Sequence, residues 1–291
     1  MTGSQRHFGV VVGVDGSGYS DVAVRWAARE ATMRRVRLTL VQAVALPAPG
    51  WPALNVRELY ETDAEAILDD AVTIVEDFMK GDGPSDLERQ LLFSRPAMAL
   101  VDMSKDADLV VVGARGQGAL HRVLLGSVST ALIHHAHCPV AVIHQDASLY
   151  PKATKAPVLL GTDVSAASEL ATEIAFHEAA MRGVDLVVLH AASDTELSQI
   201  LSTKYSTGLS AVGQMLTERL APYQQGHPGV SVQQTVMDDR PATHLLNLAA
   251  TAQLVVVGSH GRGGFAGMAL GSVSTAVAHA SRTPVIVARS Q

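Results

Sequence analysis

The sequence predicts an α/β protein made of two tandem, doubly wound parallel five-stranded sheets of Rossmann-like type, one in residues 1–150 and one in residues 151–291. Three observations lead to this prediction. The chain repeats itself, each repeat alternates short apolar runs with helical periods, and glycine-containing turns follow the apolar runs. A chain of 291 residues is long enough for two domains of the usual ~100–200 residues.

The internal repeat sets the organisation of the chain. Residues 110–144 and 255–289 align at an offset of 145, with seventeen of thirty-five positions identical. Near the start of each half, residues 13–30 match residues 161–178 at an offset of 148. Residues 145–157, between the halves, are polar and contain two prolines, which is typical of a short linker.

Five short segments of the first half are predicted strands. Continuous apolar runs rich in β-branched residues are typical of strands buried on both faces of a parallel sheet. These runs are residues 9–14, 36–44, 109–112 and 140–143, with a weaker strand at 87–93.

Four helices are predicted between the strands. One follows the first strand, one begins near Pro96 and one begins at Gly126. The longest has apolar residues at alternating steps of four and three, which indicates an amphipathic helix, and it ends at Gly81. The members of this stripe are Tyr60, Ala64, Ile67, Ala71, Ile74 and Phe78. Strands and helices that alternate with right-handed crossovers form a sheet that binds ligands beyond the carboxyl ends of its strands.

The first candidate loop ends the first strand of each half and contains Asp15 or Asp163. A carboxylate at the end of a buried strand can accept hydrogen bonds from an amine or hydroxyl of a ligand. It can equally cap the helix or turn that follows, a role for which Ser17 and Ser20 also compete. Both interpretations stay open on this pattern alone.

Two more loops recur in both halves. Gly113 to Gly116 and Gly258 to Gly261 follow a Val-Val-Val strand, where glycine permits positive φ or close approach of a ligand. The sequence GSVST then opens a helix, whose free N–H groups, joined by serine hydroxyls, can hold a phosphate. An ordinary serine N-cap behind a glycine turn is the alternative.

The three loops together resemble the nucleotide-binding type of the universal stress protein family, over nearly the whole chain as a tandem pair of domains. The resemblance implies that the aspartate and a backbone group ending strand two contact adenine, the first two glycines lie against the ribose and α-phosphate, and the GSVST turn holds the phosphates. The implied sites are Asp15, Ala43, Gly113, Gly116, Gly126, Ser127, Val128 and Ser129 in one half, and Asp163, Ala191, Gly258, Gly261, Gly271, Ser272, Val273 and Ser274 in the other.

Several other classes lack support in the sequence. There is no G-x-x-x-x-G-K-S/T and no G-x-G-x-x-G after the first strand, which disfavours P-loop NTPases and standard dinucleotide oxidoreductases. His134 and Cys138 are four residues apart, a spacing that a metal could use. The second half has Thr283 at the position of Cys138, so we expect no metal there and a small buried thiol instead.

Composition limits the partners and the compartment. The formal charge is −6 and there is no block of basic residues, so nucleic acid is not an expected partner. The mean hydropathy is +0.20 and no apolar run approaches the ~18 residues of a spanning helix. A membrane is therefore not an expected partner either. The single cysteine, with no leader-like segment before residue 8, indicates the cytoplasm.

The function implied by the resemblance is that of an ATP-binding regulatory protein, with Mg²⁺ accompanying the phosphates. No loop resembles a positioned catalytic base, so little or no turnover is expected. One alternative is a scaffold of the same fold in which nucleotide is purely structural or absent; a slow ATPase or nucleotidyl-transferring enzyme is another. The family pairs domains through the last strand, which implies an internal pseudo-dimer of the two halves, and a homodimer of two chains is a further expectation.

Overall fold

The computed structural model describes residues 7–46, 56–117, 125–144, 155–163, 165, 168–191, 205–237, 240–260 and 270–289. The chain divides into two compact units, Met1–Ala147 together with Ser290–Gln291, and Ser148–Arg289. Each unit is of α/β class and has five parallel strands. No helix in the described ranges has the length and apolar character needed to cross a bilayer.

The described part of the first unit alternates five strands with four helices, as the sequence predicts. In chain order they are β1 (Gly9–Gly13), α1 (Gly18–Arg34), β2 (Leu38–Ala43), α2 (Val56–Met79), β3 (Leu87–Leu92), α3 (Pro96–Met103), β4 (Ala107–Gly113), α4 (Ser127–His135) and β5 (Val140–Ile143). A short 3₁₀ turn, Ser104–Asp106, leads into β4. The predicted boundaries of the strands agree with these to within two residues.

The strand order of the first unit places a crevice beside β1. The order is β3-β2-β1-β4-β5, and all neighbouring strands are parallel. Because the chain winds outward from β1 in both directions, the loops that follow β1 and β4 separate to opposite faces of the sheet. Gly13 is level with Val41 of β2, and Val12 is level with Val111 of β4, so these loops leave the sheet at similar heights.

The core of this unit is its sheet, which helices cover on both faces. Val10, Val11 and Val12 have no exposed surface, nor do Leu109 and Val110. Continuous apolar runs therefore do indicate strands buried on both sides here.

The apolar stripe predicted for α2 is partly wrong. Ala64 and Ala71 are buried as expected, but the other fully buried positions are Leu68 and Val75, and Tyr60 is 39% exposed. The buried face is thus rotated by about one residue, which leaves Ile67 half-buried at the edge of a cavity described below. The helix ends at Met79 before Gly81, whose φ is +97°, as the glycine predicts.

The described part of the second unit repeats this arrangement. In chain order it contains β6 (Val158–Thr162), α5 (Glu169–Arg182), β7 (Leu186–Ala191), α6 (Tyr205–Gly226), β8 (Val232–Met237), α7 (Pro241–Ala249), β9 (Leu254–Gly258), α8 (Ser272–Ala280) and β10 (Val285–Ala288). Its strand order, β10-β9-β6-β7-β8, is that of the first unit under the sequence match. Even the ends of α1 and α5 agree, because Arg35 and Gly183 are both left-handed C-caps.

The last strand of each unit lies at one side of that unit's five strands. Pro139 and Pro284 immediately precede β5 and β10, as expected for residues without an N–H. Their carbonyl groups accept hydrogen bonds from Val110 and Val255 of the adjoining strands, at 3.1 and 2.9 Å. The pseudo-dimeric pairing of the two halves through these strands stays a prediction.

Candidate functional site

A cavity of about 510 Å³ opens at the carboxyl ends of β1, β2 and β4 in the first unit. This volume lies within the ~300–1,000 Å³ range of small-molecule pockets. Its walls contain all eight first-half residues that the sequence singles out, which come from four separate segments of the chain. They are Asp15, Ala43, Gly113, Gly116, Gly126, Ser127, Val128 and Ser129.

Asp15 joins the loop after β1 to the loop after β4. Its Oδ1 accepts the N–H of Ser17 at 3.0 Å, and its Oδ2 accepts the N–H of Gln117, 102 residues away, at 2.9 Å. The N-cap of α1 is Ser17, whose hydroxyl accepts the N–H of Ser20 at 3.2 Å. Asp15 therefore caps the turn that follows β1, whereas Ser17 caps the helix, and the carboxylate stands in the wall of the cavity with its orientation set by both loops.

Gly113 and Gly116 are glycines for a reason other than positive φ. The left-handed residue in these loops is Gly16, with φ +73°. A Cβ on Gly113 would lie 2.9 Å from the main chain of Tyr19 in α1, and a Cβ on Gly116 would overlap Oδ2 of Asp15. Neither glycine has a positive φ, so that expectation is wrong at both positions. A side chain is excluded because Tyr19 packs against Gly113 and Asp15 packs against Gly116.

The turn at Gly126 leaves three amide groups at the start of α4 without an acceptor in the helix. Gly126 is the N-cap, with an extended φ of −74° and no side chain to cap the helix. The first helical hydrogen bond runs from Thr130 N–H to the Gly126 carbonyl at 3.0 Å. An α-helix offers no acceptor of its own to the preceding N–H groups, so those of Ser127, Val128 and Ser129 carry the positive end of the helix dipole toward the cavity.

Two expectations about this turn are corrected by its geometry. The serine N-cap alternative is wrong because the cap is a glycine, Gly126. Ser129 is 1% exposed, and its hydroxyl lies 3.1 Å from the carbonyl oxygens of both Ala114 and Gly126, to which it donates. The Ser129 hydroxyl is therefore engaged within the protein, and Ser127 carries the exposed hydroxyl of the turn.

The charged groups of the cavity are few. Among the described residues that line it, Asp15 and Arg115 carry charge. Within the described parts of the chain, no group of three or more His, Cys, Asp or Glu side chains could hold a metal. Mg²⁺ commonly binds through substrate phosphates, water and one or two protein oxygens. The exposed hydroxyl of Ser127 is an oxygen of this kind, so these residues fit a Mg²⁺ ion that arrives with a nucleotide.

Sequence reasoning missed several residues of the cavity wall. The missed residues include Gln42, Ile67, Pro96, Leu100 and Gln117. Gln42 and Gln117 are each next to a residue that was singled out, so adjacency was an available signal. Ile67 and Leu100 belong to helices packed beside the sheet, and no local pattern separates them from ordinary core residues.

In the second unit the described candidate residues occupy matching places in the fold. Asp163 directly follows β6, Ala191 ends β7 and Gly258 ends β9. Gly271 is the N-cap of α8, with φ −73°, and Ser272, Val273 and Ser274 form the first turn. The buried hydroxyl of Ser274 donates to the Gly258 carbonyl. Gly261 lies outside the described residues.

The environment of these residues is not a copy of the first site. Oδ1 of Asp163 accepts both the N–H and the hydroxyl of Ser165, at 3.0 and 2.6 Å. His190 stands where the first unit has Gln42, fully buried, with its Nδ1 3.0 Å from the Thr162 carbonyl. A cavity of about 320 Å³ lies beside α5 and α6 and includes Thr162 and Ser165, but none of the described candidate residues.

Cys138, at the end of α4, is a buried structural residue. It is 5% exposed, and burial raises the pKa of its thiol to about 12. The small buried residue expected from the sequence is confirmed.

Comparison with known proteins identifies the family. The model of the universal stress protein family matches residues 9–144 and again residues 156–289. The chain therefore belongs to the universal stress protein family and contains two such domains in tandem.

Known universal stress proteins match this chain over its whole length. Two universal stress proteins of Mycobacterium tuberculosis are each 46% identical over 293 residues, which covers 99% of this chain and 99% of the relative. A crystal structure of a universal stress protein from Archaeoglobus fulgidus DSM 4304 has a TM-score of 0.69 at 19% identity, covering 97% of this chain and 98% of that one. The similarity to that structure concerns the fold.

Proposed function

We propose that this universal stress protein binds ATP in each unit, with Mg²⁺ on the phosphates, and acts as a nucleotide-dependent regulatory or signalling protein with little or no turnover. The observation that carries the proposal is the first-unit cavity, whose walls hold a fixed carboxylate at one loop and three free helix N–H groups at another. The cytoplasmic location inferred from the sequence stays a prediction.

The chemistry of the cavity suits binding better than hydrolysis. The dipole at one helix N-terminus contributes ~0.3–1 kcal/mol to the binding of an anion, and up to ~2 kcal/mol when the site is partly buried. This is too little to hold a nucleotide alone, so the amides must act together with neighbouring groups. Both oxygens of Asp15 already accept a main-chain N–H. The carboxylate is thus a positioned hydrogen-bond acceptor for a nucleobase, and none of the described lining residues is arranged to activate water.

The two phosphate turns supply a matched pair of test substitutions. A Cβ on Gly126 or on Gly271 would have its nearest neighbours at 3.5–3.6 Å, which is ordinary van der Waals contact. Both φ values are also accessible to alanine. Gly126→Ala and Gly271→Ala should therefore fold normally and place a methyl group only where a ligand must approach.

The decisive experiment is isothermal titration of the full chain with ATP and Mg²⁺. We expect two ATP sites in the wild type. Each single substitution should weaken ATP binding at its own site about tenfold or more, and the double variant should be weakened at both sites. A hundredfold excess of ATP over Kd should also stabilise each site by ~2.7 kcal/mol against unfolding, whereas GTP should not. Unchanged ATP affinity in both variants would remove the phosphate role of the turns, and no response to any nucleotide would favour the scaffold alternative.

A further inference from the structure

Arg115 is the one positively charged side chain among the described residues of the first-unit cavity. It is half-buried, and no carboxylate in the described part of the chain forms an ion pair with it. By contrast, Arg37 is paired with Asp86 at 2.7 Å, and Arg89 is paired with Asp69. The charge of Arg115 is therefore left for a ligand to neutralise.

Tyr19 holds the guanidinium of Arg115 in place. The Nη1 group donates to the Tyr19 hydroxyl at 3.3 Å, and Cζ lies 5.7 Å from the centroid of the phenol ring. Tyr19 is itself fixed, because its main chain packs directly on Gly113. A neutral partner of this kind orients the guanidinium without cancelling its charge.

The main chain of Arg115 adjoins the phosphate turn. A Cβ on Gly126 would lie 3.5 Å from the Cα of Arg115, so the residue stands next to the N–H groups that open α4. Three amides in one helical turn converge on a single anionic group. A guanidinium beside them offers a planar, bidentate fork to a second one.

The second unit has neither member of this pair. The sequence match places His260 at the position of Arg115 and Ala167 at the position of Tyr19. In the structure the Nδ1 of His260 lies 3.0 Å from the Ser259 hydroxyl. The two positions therefore change together between the halves, while the turn itself is kept.

We propose that Arg115, oriented by Tyr19, determines the phosphate specificity of the first site, which selects adenine nucleotides carrying two or more phosphate groups. This inference rests on the proposed nucleotide function. Each added phosphate brings negative charge that the amides of one turn do not satisfy, so the guanidinium contributes much more to ATP and ADP than to AMP. The second site, which lacks the pair, discriminates less between them.

The test measures the ATP-to-AMP affinity ratio in the full chain, with the second site silenced by Gly271→Ala. We expect Arg115→Gln to weaken ATP about 10- to 100-fold, as for loss of hydrogen bonds to a charged group, and AMP less than about threefold. Arg115→Lys should retain part of the preference, and Tyr19→Phe should lose about threefold for ATP. Lys105→Gln removes an exposed cation paired with Asp102 and should change neither affinity.

The outcomes separate this inference from the proposed function. Equal weakening of ATP and AMP, or no weakening of either, overturns the role of Arg115 while ATP binding itself stands. If Arg115→Gln does not fold, the test uses Arg115→Lys and Tyr19→Phe instead. The proposal is contradicted if the ATP-to-AMP affinity ratio is unaltered in both of these variants. Absence of nucleotide binding in the parent protein would instead refute the proposed function.

Discussion

The two phosphate turns, residues 126–130 and 271–275, share a backbone but not their surroundings. Gly126 and Gly271 have φ values of −74° and −73°, and the nearest neighbours of a Cβ lie at 3.5–3.6 Å in both. Beside the first turn are Arg115 and Tyr19, and beside the second is His260. The turn conformation thus depends on its own sequence, and any difference in ligand preference must come from the neighbouring side chains.

The two strand-one aspartates share one contact and differ in another. Oδ1 of each carboxylate accepts the N–H of the serine two residues further on, Ser17 or Ser165, at 3.0 Å. The hydroxyl of Ser165 also donates to Asp163, whereas the hydroxyl of Ser17 accepts the N–H of Ser20. Oδ2 of Asp15 accepts the N–H of Gln117 as well, so this carboxylate ties together two loops that both line the cavity.

The largest expected effect is that of Gly113→Ala. The added methyl group would lie 2.9 Å from the Tyr19 carbonyl, and backbone in a packed helix cannot move aside cheaply. We expect a loss of about 2–3 kcal/mol in the unfolding free energy of the first unit. Denaturant unfolding followed by tryptophan fluorescence measures it, since both tryptophans are in the first half.

The control for this comparison is Gly126→Ala, whose methyl group meets only ordinary contacts. It should leave the stability of the unliganded first unit within about 0.5 kcal/mol. If both substitutions have the same effect, the packing of Gly113 on α1 does not limit that position.

A smaller effect should distinguish Asp15→Ala from Asp163→Ala. The first substitution leaves the N–H groups of Ser17 and Gln117 without their acceptor. Because Ser17 is half-buried and Gln117 is exposed to water, we expect a cost of about 1 kcal/mol. Hydrogen exchange should then accelerate at Gln117, which is distant in sequence from the substitution. In Asp163→Ala we expect faster exchange at Ser165, whose N–H and hydroxyl both lose their acceptor. Unchanged exchange at Gln117 in Asp15→Ala would contradict the link between the two loops of the first site.

Much of the fold could be predicted because it depends on local patterns. Runs such as residues 109–112 have too few polar positions for a one-faced sheet, and the repeat assigns the same architecture to the second half. The stripe of α2 was misassigned because Ile67 and Leu68 are adjacent and equally apolar. Only packing against the sheet decides that Leu68 is buried at 1% exposure.

The candidate site could be predicted only in part. Its glycines and serines recur at fixed spacing, so the loops were recognisable, but the reasons for individual residues are tertiary. Tyr19 and Arg115 are 96 residues apart and carry no shared motif. Likewise the hydroxyl of Ser129 turns inward to the Ala114 carbonyl, which a sequence containing two serines in one turn cannot indicate.

The smallest expected effect concerns pH and His279, in the last turn of α8. Burial lowers its pKa below the ordinary value, so the unfolded chain binds the proton more readily than the folded one. The unfolding free energy therefore decreases as the pH falls from about 6.5 through the folded pKa. His279→Gln should flatten this dependence for the second unit between pH 7 and pH 5.

The first unit serves as the internal standard for that measurement. Its transition, followed by tryptophan fluorescence, should show the same pH dependence with and without His279→Gln. An equal pH slope for the second unit in the two proteins would mean that burial of His279 has no energetic consequence.

The buried thiol of Cys138 is a natural reporter of local opening in the first unit. The chain has a single cysteine, and the second half has Thr283 at the matching position. With its pKa raised to about 12 and 5% of its surface exposed, the thiol reacts with a disulfide reagent only while this region is transiently open. The labelling rate of the intact protein thus reports how often the first unit opens. A ligand that stabilises the closed form of this unit will slow the labelling, and no cysteine has to be introduced for the measurement.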